Sequence, residues 1–152
     1  MKRRTILAAA AGLSTLAVLP TRAASSWPAI DVFKSATCGC CKAWVEHLKA
    51  AGFDVRVTDV DDTTAARKRL GMPDAFGSCH TGSVGGYALE GHVPAADIQR
   101  LLKERPKVRG IAVAGMPLGS PGMEAERSQA YNVVLFDAAG KSTIYHRYPG
   151  DK

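Results

Sequence analysis

Cys38, Cys40 and Cys41 stand within four residues of one another in the run Cys38-Gly39-Cys40-Cys41, and the one further cysteine, Cys79, is followed by His80. Thiols spaced C-x-x-C either chelate a soft metal or cycle between dithiol and disulfide. A third thiol wedged between them, Cys40, has no place in a plain two-cysteine cycle. Four cysteines allow three disulfide connectivities. Cys38–Cys41 with Cys40–Cys79 is one of them, and a Cys40–Cys41 bridge requires a strained ring between neighbours. A cluster of soft thiolates selects Cu(I), zinc or iron–sulfur. Ferredoxin-type spacing is absent. Structural zinc sites use two separated ligand pairs, and the adjacent side chains of Cys79 and His80 are awkward for one tetrahedral ion. Thioethers point toward copper: Met72, Met116 and Met123 are the methionines beyond Met1, and the last two bracket Pro117-Leu118-Gly119-Ser120-Pro121-Gly122. Methionine binds Cu(I) well, and its other common use is to fill gaps in a core. His47, His92 and His146 read as surface or capping residues rather than ligands.

The elements that must position these groups follow from periodicity. Residues 29–34 read as a buried strand that ends in the cysteine turn. Residues 42–51 read as a helix with Cys41, Trp44, Val45 and Leu48 on one face and Lys42, Glu46 and Lys49 on the other. Residues 53–58 alternate as a second strand. Asp61 or Asp62 is placed to cap a helix over 63–70 that stops at Gly71. Gly85-Gly86 separates two β-like runs, 81–84 and 87–90, as a hairpin. Pro94 sits at the first turn of a helix that ends near Glu104, with Ile98, Leu101 and Leu102 as its apolar stripe. The order is β-α-β-α-β-β-α with the C-x-x-C at the start of the first helix, which is a thioredoxin-like α/β arrangement. Cys79 and His80 then precede the third strand, where an oxidoreductase of that fold keeps a cis-proline, so the fourth thiol faces the other three. Residues 106–129 are rich in Gly and Pro and read as a long loop. Residues 131–136 and 142–148 flank Asp137-Ala138-Ala139-Gly140 as an added C-terminal hairpin.

The chain has 152 residues, 20 basic and 14 acidic. Lys2, Arg3 and Arg4, the apolar stretch 6–19 and the small residues around Ala23 read as a secretory signal peptide over residues 1–23. Arg3-Arg4 also fits a twin-arginine export signal. The apolar stretch is short for a membrane span, so the expectation is a cleaved leader, no membrane anchor afterwards, and a single domain over residues 24–152. The leader takes four basic residues and no acid with it, which leaves a net charge of +2. A near-neutral domain lacks the basic stripe that nucleic acid requires.

Thr37-Cys38-Gly39-Cys40-Cys41-Lys42-x-Trp44, Ser78-Cys79-His80-Thr81, Gly85-Gly86-Tyr87-x-x-Glu90-Gly91-His92-Val93-Pro94 and Gly115-Met116-Pro117-x-Gly119-Ser120-Pro121-Gly122-Met123-Glu124 occur together and in order. In these motifs the chain resembles the CopG-type family of exported bacterial copper-resistance and metal-binding proteins. The resemblance implies a thioredoxin-like fold, a periplasmic location, and copper held by Cys38, Cys40, Cys41 and Cys79, with Met116, Met123 and His80 as further ligands. It implies more than one Cu(I) ion, a role in interconverting Cu(I) and Cu(II), and exchange with other periplasmic copper-handling proteins. The residues themselves leave two other functions open: a thiol–disulfide oxidoreductase using Cys38 and Cys41, and an inert disulfide-stapled domain.

Overall fold

Ile30, Val32 and Lys34 point inward along β1 (Ile30–Lys34), the strand that leads into the cysteine turn. The computed structural model describes residues 26–151, so the leader expected over residues 1–23 lies outside the described residues. After β1 come α1 (Gly39–Ala50), β2 (Val55–Asp59), α2 (Thr64–Leu70), a 3-10 turn (Asp74–Phe76), β3 (His80–Val84), β4 (Tyr87–Glu90), α3 (Ala95–Glu104), β5 (Gly110–Ala112), β6 (Tyr131–Phe136) and β7 (Ser142–Tyr148). The expected β-α-β-α-β-β-α order is thus present in a mixed α/β fold. The strands form one seven-stranded sheet in the order β2-β1-β3-β4-β5-β6-β7. β1 runs parallel to β2 and antiparallel to β3, and β4 runs parallel to β5.

Helix α1 begins at Gly39 rather than at residue 42, which brings Cys40 and Cys41 into its first turn. Its buried stripe is Cys41, Trp44, Val45 and Leu48, the face set by the 3.6-residue period. Burial of each of its large apolar side chains contributes about 1.5–3 kcal/mol, and the indole of Trp44 donates its Nε1–H to the Val93 carbonyl at 2.8 Å. Asp62 supports the start of α2, its carboxylate accepting from the Thr64 amide at 2.9 Å.

Alternation along the central strands covers both faces of the sheet. Leu89, Ile111, Val133 and Leu135 join Trp44, Leu48, Ile98 and Leu101 in the larger core. Their neighbours Ala88, Ala112 and Phe136 pack on the other face with Met72. Met72 is therefore a core residue, 5% exposed. Helices α1 and α3 cover one face, and α2 with the segment that follows it covers the other.

The expectation of an unbroken loop over residues 106–129 is corrected by β5. This three-residue strand is fully buried and hydrogen-bonds between β4 and β6, joining the C-terminal hairpin to the rest of the sheet. Three residues are too few for a period to show in the sequence, and its first residue is a glycine. A Cβ at Gly110 would stand 2.3 Å from the Ala88 carbonyl oxygen and 2.6 Å from the Phe136 ring. Gly110→Ala should therefore lower stability by about 1–3 kcal/mol through overpacking; chemical denaturation that shows an unchanged midpoint would contradict this placement of β5.

Candidate metal centre

The start of α1 presents three of the four thiols. Cys38 occupies the N-cap in an extended conformation, φ −74° and ψ 100°. Unpaired N–H groups and the positive end of the helix dipole favour thiolate over thiol at such a position. Cys41 lies one step inward, fully buried, with its Sγ 3.8 Å from the Cys79 carbonyl. Cys79, the residue before β3, approaches from the opposite side. Its Sγ is 3.9 Å from Cys40 Sγ, which is 3.5 Å from Cys38 Sγ. All four sulfurs lie within 4.8 Å of one another. Cys38 and Cys41 are joined as a disulfide, whereas Cys40 and Cys79 are free thiols. Two thiols are available in this state, and reduction of the bridge makes four.

Cys79 belongs to a second group as well, with His80 and His92. Its Sγ is 3.3 Å from His80 Nδ1 and 3.1 Å from His92 Nε2. The far nitrogen of each ring meets a backbone carbonyl: His80 Nε2 with Gly91 at 2.9 Å, and His92 Nδ1 with Pro121 at 2.8 Å. A carbonyl only accepts, so both far nitrogens carry the proton and both near nitrogens present lone pairs to the sulfur. One S–H satisfies one of them. The other lone pair faces sulfur with no proton between them, an arrangement that a soft cation relieves. Donors that share one ion at about 2.0–2.3 Å stand about 3.3–3.8 Å apart, close to the observed separations. The carbonyl partners are the outer contacts that orient metal-binding imidazoles.

The protonation states agree. Burial pushes His80 down to about 3, helped by the neighbouring His92 and opposed by the Gly91 carbonyl. Burial also lowers His92, opposed by its bond to Pro121 and by Glu124. Both rings are neutral at pH 7. Burial and the adjacent Cys40 raise the Cys79 thiol to about 12, so without metal it holds its proton, and a cation must displace that proton to bind.

The loop after β5 straps across the site. Ser78 Oγ donates to the Gly115 carbonyl at 2.5 Å, and the Pro121 carbonyl holds His92. A Cβ at Gly122 would lie 2.6 Å from the Cys40 carbonyl and 2.8 Å from the Trp44 amide, so only glycine lets the strap approach the first turn of α1 this closely. Met116, 51% exposed, and the partly buried Met123 stand on this strap.

Cys38, Cys40, Cys41, Cys79 and His80 are thus brought together. Two expectations are corrected. Cys79 and His80 converge despite being adjacent, because Cys79 lies ahead of the strand and escapes its up-and-down alternation. His92 is fully buried against Cys79 rather than being a surface residue. The hairpin carried a signal for this: Val84 pairs with Tyr87 and Thr81 with Glu90 across Gly85-Gly86, so the same count sets Cys79 opposite His92. His47 is the capping residue expected, accepting the Ala95 amide at the start of α3, and His146 bonds Asp97.

Two solved structures, of copper resistance protein CopG in Form 1 and Form 2, are each 50% identical to this chain, cover 82% of it and 100% of their own length, and superpose with a TM-score of 0.77. The chain belongs to the CopG family. A family model described as a protein of unknown function, DUF411, matches residues 76–123, the span that holds Cys79, His80, His92 and the strap. No curated protein matches.

The raised Cys79 thiol has a kinetic consequence. Thiolate is the reactive form, and below the pKa its fraction rises tenfold per pH unit. Alkylation of Cys79 by iodoacetamide, followed by peptide mapping, should therefore be slow at pH 7.5 and accelerate about tenfold per unit up to pH 9 and beyond. A plateau below pH 8.5 would contradict the burial described.

Proposed function

We propose that this chain is an exported, periplasmic copper-binding protein of copper resistance. Residues 1–23 are its signal peptide and residues 24–152 its single thioredoxin-like domain. Copper is its cargo, held as Cu(I) by Cys38, Cys40, Cys41 and Cys79 in the reduced chain, with His80 and His92 completing the site and Met116 and Met123 contributing thioethers from the strap. The observation that carries this reading is Cys79, shared by a sulfur cluster and a pair of neutral imidazoles that both direct lone pairs at it. Thiolates favour Cu(I), and imidazole accommodates copper in either oxidation state. A site that offers both supports interconversion of Cu(I) and Cu(II). The two related structures are of a copper resistance protein, which points the same way. Among the described residues no helix is long and apolar enough to cross a membrane. Copper ions and other copper-handling proteins of the periplasm are the partners in this reading.

The Cys38–Cys41 disulfide favours a second reading, a thiol–disulfide oxidoreductase, because the bridge spans the C-x-x-C at a helix start. Cys40 and Cys79, both close to that bridge, count against a simple dithiol cycle.

Anaerobic competition between the reduced protein and a Cu(I) chelator separates the two. The copper reading predicts more than one Cu(I) bound per chain, a lower stoichiometry or affinity in Cys79→Ser, and at least about tenfold weaker binding in His92→Ala. Failure to compete with even a weak chelator would sink it. Insulin reduction that survives Cys40→Ser and Cys79→Ser but not Cys38→Ser would establish the oxidoreductase instead.

A further inference from the structure

Glu90 ends β4 with its side chain fully buried, two residues before His92. Its Oε1 accepts three hydrogen bonds: from Arg67 Nε at 3.0 Å, from Arg67 Nη2 at 2.7 Å and from the Ser78 amide at 2.7 Å. The same Arg67 Nη2 also donates to the Ser78 carbonyl at 2.9 Å. The carbonyl of Ser78 belongs to the peptide bond that joins it to Cys79. Amide and carbonyl of Ser78 are therefore both held by one ion pair whose arginine comes from α2. Glu90 Oε2 has no hydrogen-bond partner.

A buried ion pair is weak evidence for stability, because desolvation of both charges offsets their attraction and an apolar pair of equal volume often does as well. The leftover oxygen adds to that cost. What an apolar pair cannot supply is direction. Three bonds converging on one oxygen, and a planar guanidinium that reaches both the carboxylate and a backbone carbonyl, fix orientation as well as distance.

We propose that Arg67 and Glu90 are positioning residues for Cys79. They hold the Ser78–Cys79 backbone so that the sulfur stands between His80 and His92 before a metal arrives. The proposal rests on the copper reading above. Preorganised donors bind without the cost of ordering them, and outer contacts of metal ligands typically change affinity by about 10–100-fold.

The test compares the wild type with Glu90→Gln, Arg67→Lys and Arg67→Met, using Leu135→Val, a core trim on β6, as a control for general destabilisation. Three quantities are measured: Cu(I) affinity by anaerobic chelator competition, the ultraviolet sulfur-to-copper charge-transfer band, and the rate of Cys79 alkylation in the metal-free protein. Glu90→Gln and Arg67→Met should bind Cu(I) about tenfold or more weakly with a shifted band. Arg67→Lys, which keeps the charge but not the fork, should recover part of the loss. Cys79 should be alkylated severalfold faster in Glu90→Gln and Arg67→Met, and Leu135→Val should match the wild type in all three. The proposal is overturned if the Arg67 and Glu90 variants keep wild-type affinity, band and alkylation rate. It is also overturned if Leu135→Val weakens binding as much as they do, which would make the effect one of stability. If the wild type binds no Cu(I), the copper reading falls on its own, and the alkylation rates still decide whether the pair positions Cys79.

Discussion

One thiol faced by two imidazole lone pairs sets the terms for the rest of this molecule. Cys79 offers a single proton, and His80 and His92 both approach it through unprotonated nitrogens because their other nitrogens are committed to the carbonyls of Gly91 and Pro121. Inside a protein an unpaired polar group costs more than it does in water. The shortfall here is one proton, since a single S–H meets two nitrogen acceptors. Much of the surrounding structure maintains it. Trp44 lies against the His80 ring at a centroid distance of 4.2 Å. The strap holds His92 through a backbone carbonyl rather than a side chain, so the contact tolerates no change of tautomer.

Three separate pieces of backbone meet at this thiol, each by a different physical rule. The N-cap and first turn of α1 bring Cys38, Cys40 and Cys41 together through the helical turn itself. The β3–β4 hairpin sets Cys79 opposite His92 by the count across Gly85-Gly86, and Cys79, lying just ahead of β3, turns back toward its neighbour His80. The loop after β5 closes over both, anchored to Ser78, His92 and the start of α1. Strand β5 lets this loop leave from a fixed point. Its fully buried residues tie the loop's origin, and the hairpin beyond it, into the sheet.

The strongly periodic parts of the fold were legible in the sequence. The stripe Cys41, Trp44, Val45, Leu48 and the hairpin β6–β7 follow from apolar spacing and turn residues, and the structure places them where the pattern does. Of the site, the cysteines and His80 could be read from residue type and from the order of elements. His92 was hidden because one histidine after a strand looks like a surface residue until the hairpin is counted across its turn. β5 was hidden for a different reason: three residues beginning with glycine carry no period, and their strand character comes from the neighbours that bond them. The ion pair of Arg67 and Glu90 is equally invisible. Arg67-Lys68-Arg69 has the look of a solvated helix face, and nothing local says that one of the three turns inward.

Sharing a ligand also limits how the two donor groups can be filled. If each group had its own thiol, an ion in one would leave the other unchanged. Cys79 belongs to both, so an ion held by the sulfur cluster and an ion held by the imidazoles must either exclude one another or be bridged through the same sulfur. The Cys38–Cys41 bridge bears on one group and not on the other. When it is closed, Cys40 and Cys79 are the remaining thiols of the cluster, while Cys79, His80 and His92 are all unaffected. With the bridge closed, two thiols and two imidazole nitrogens are the donors left. Softer donors favour the lower oxidation state of copper, and imidazole is suited to both. Cys79 is the single side chain that the sulfur cluster and the imidazole pair have in common.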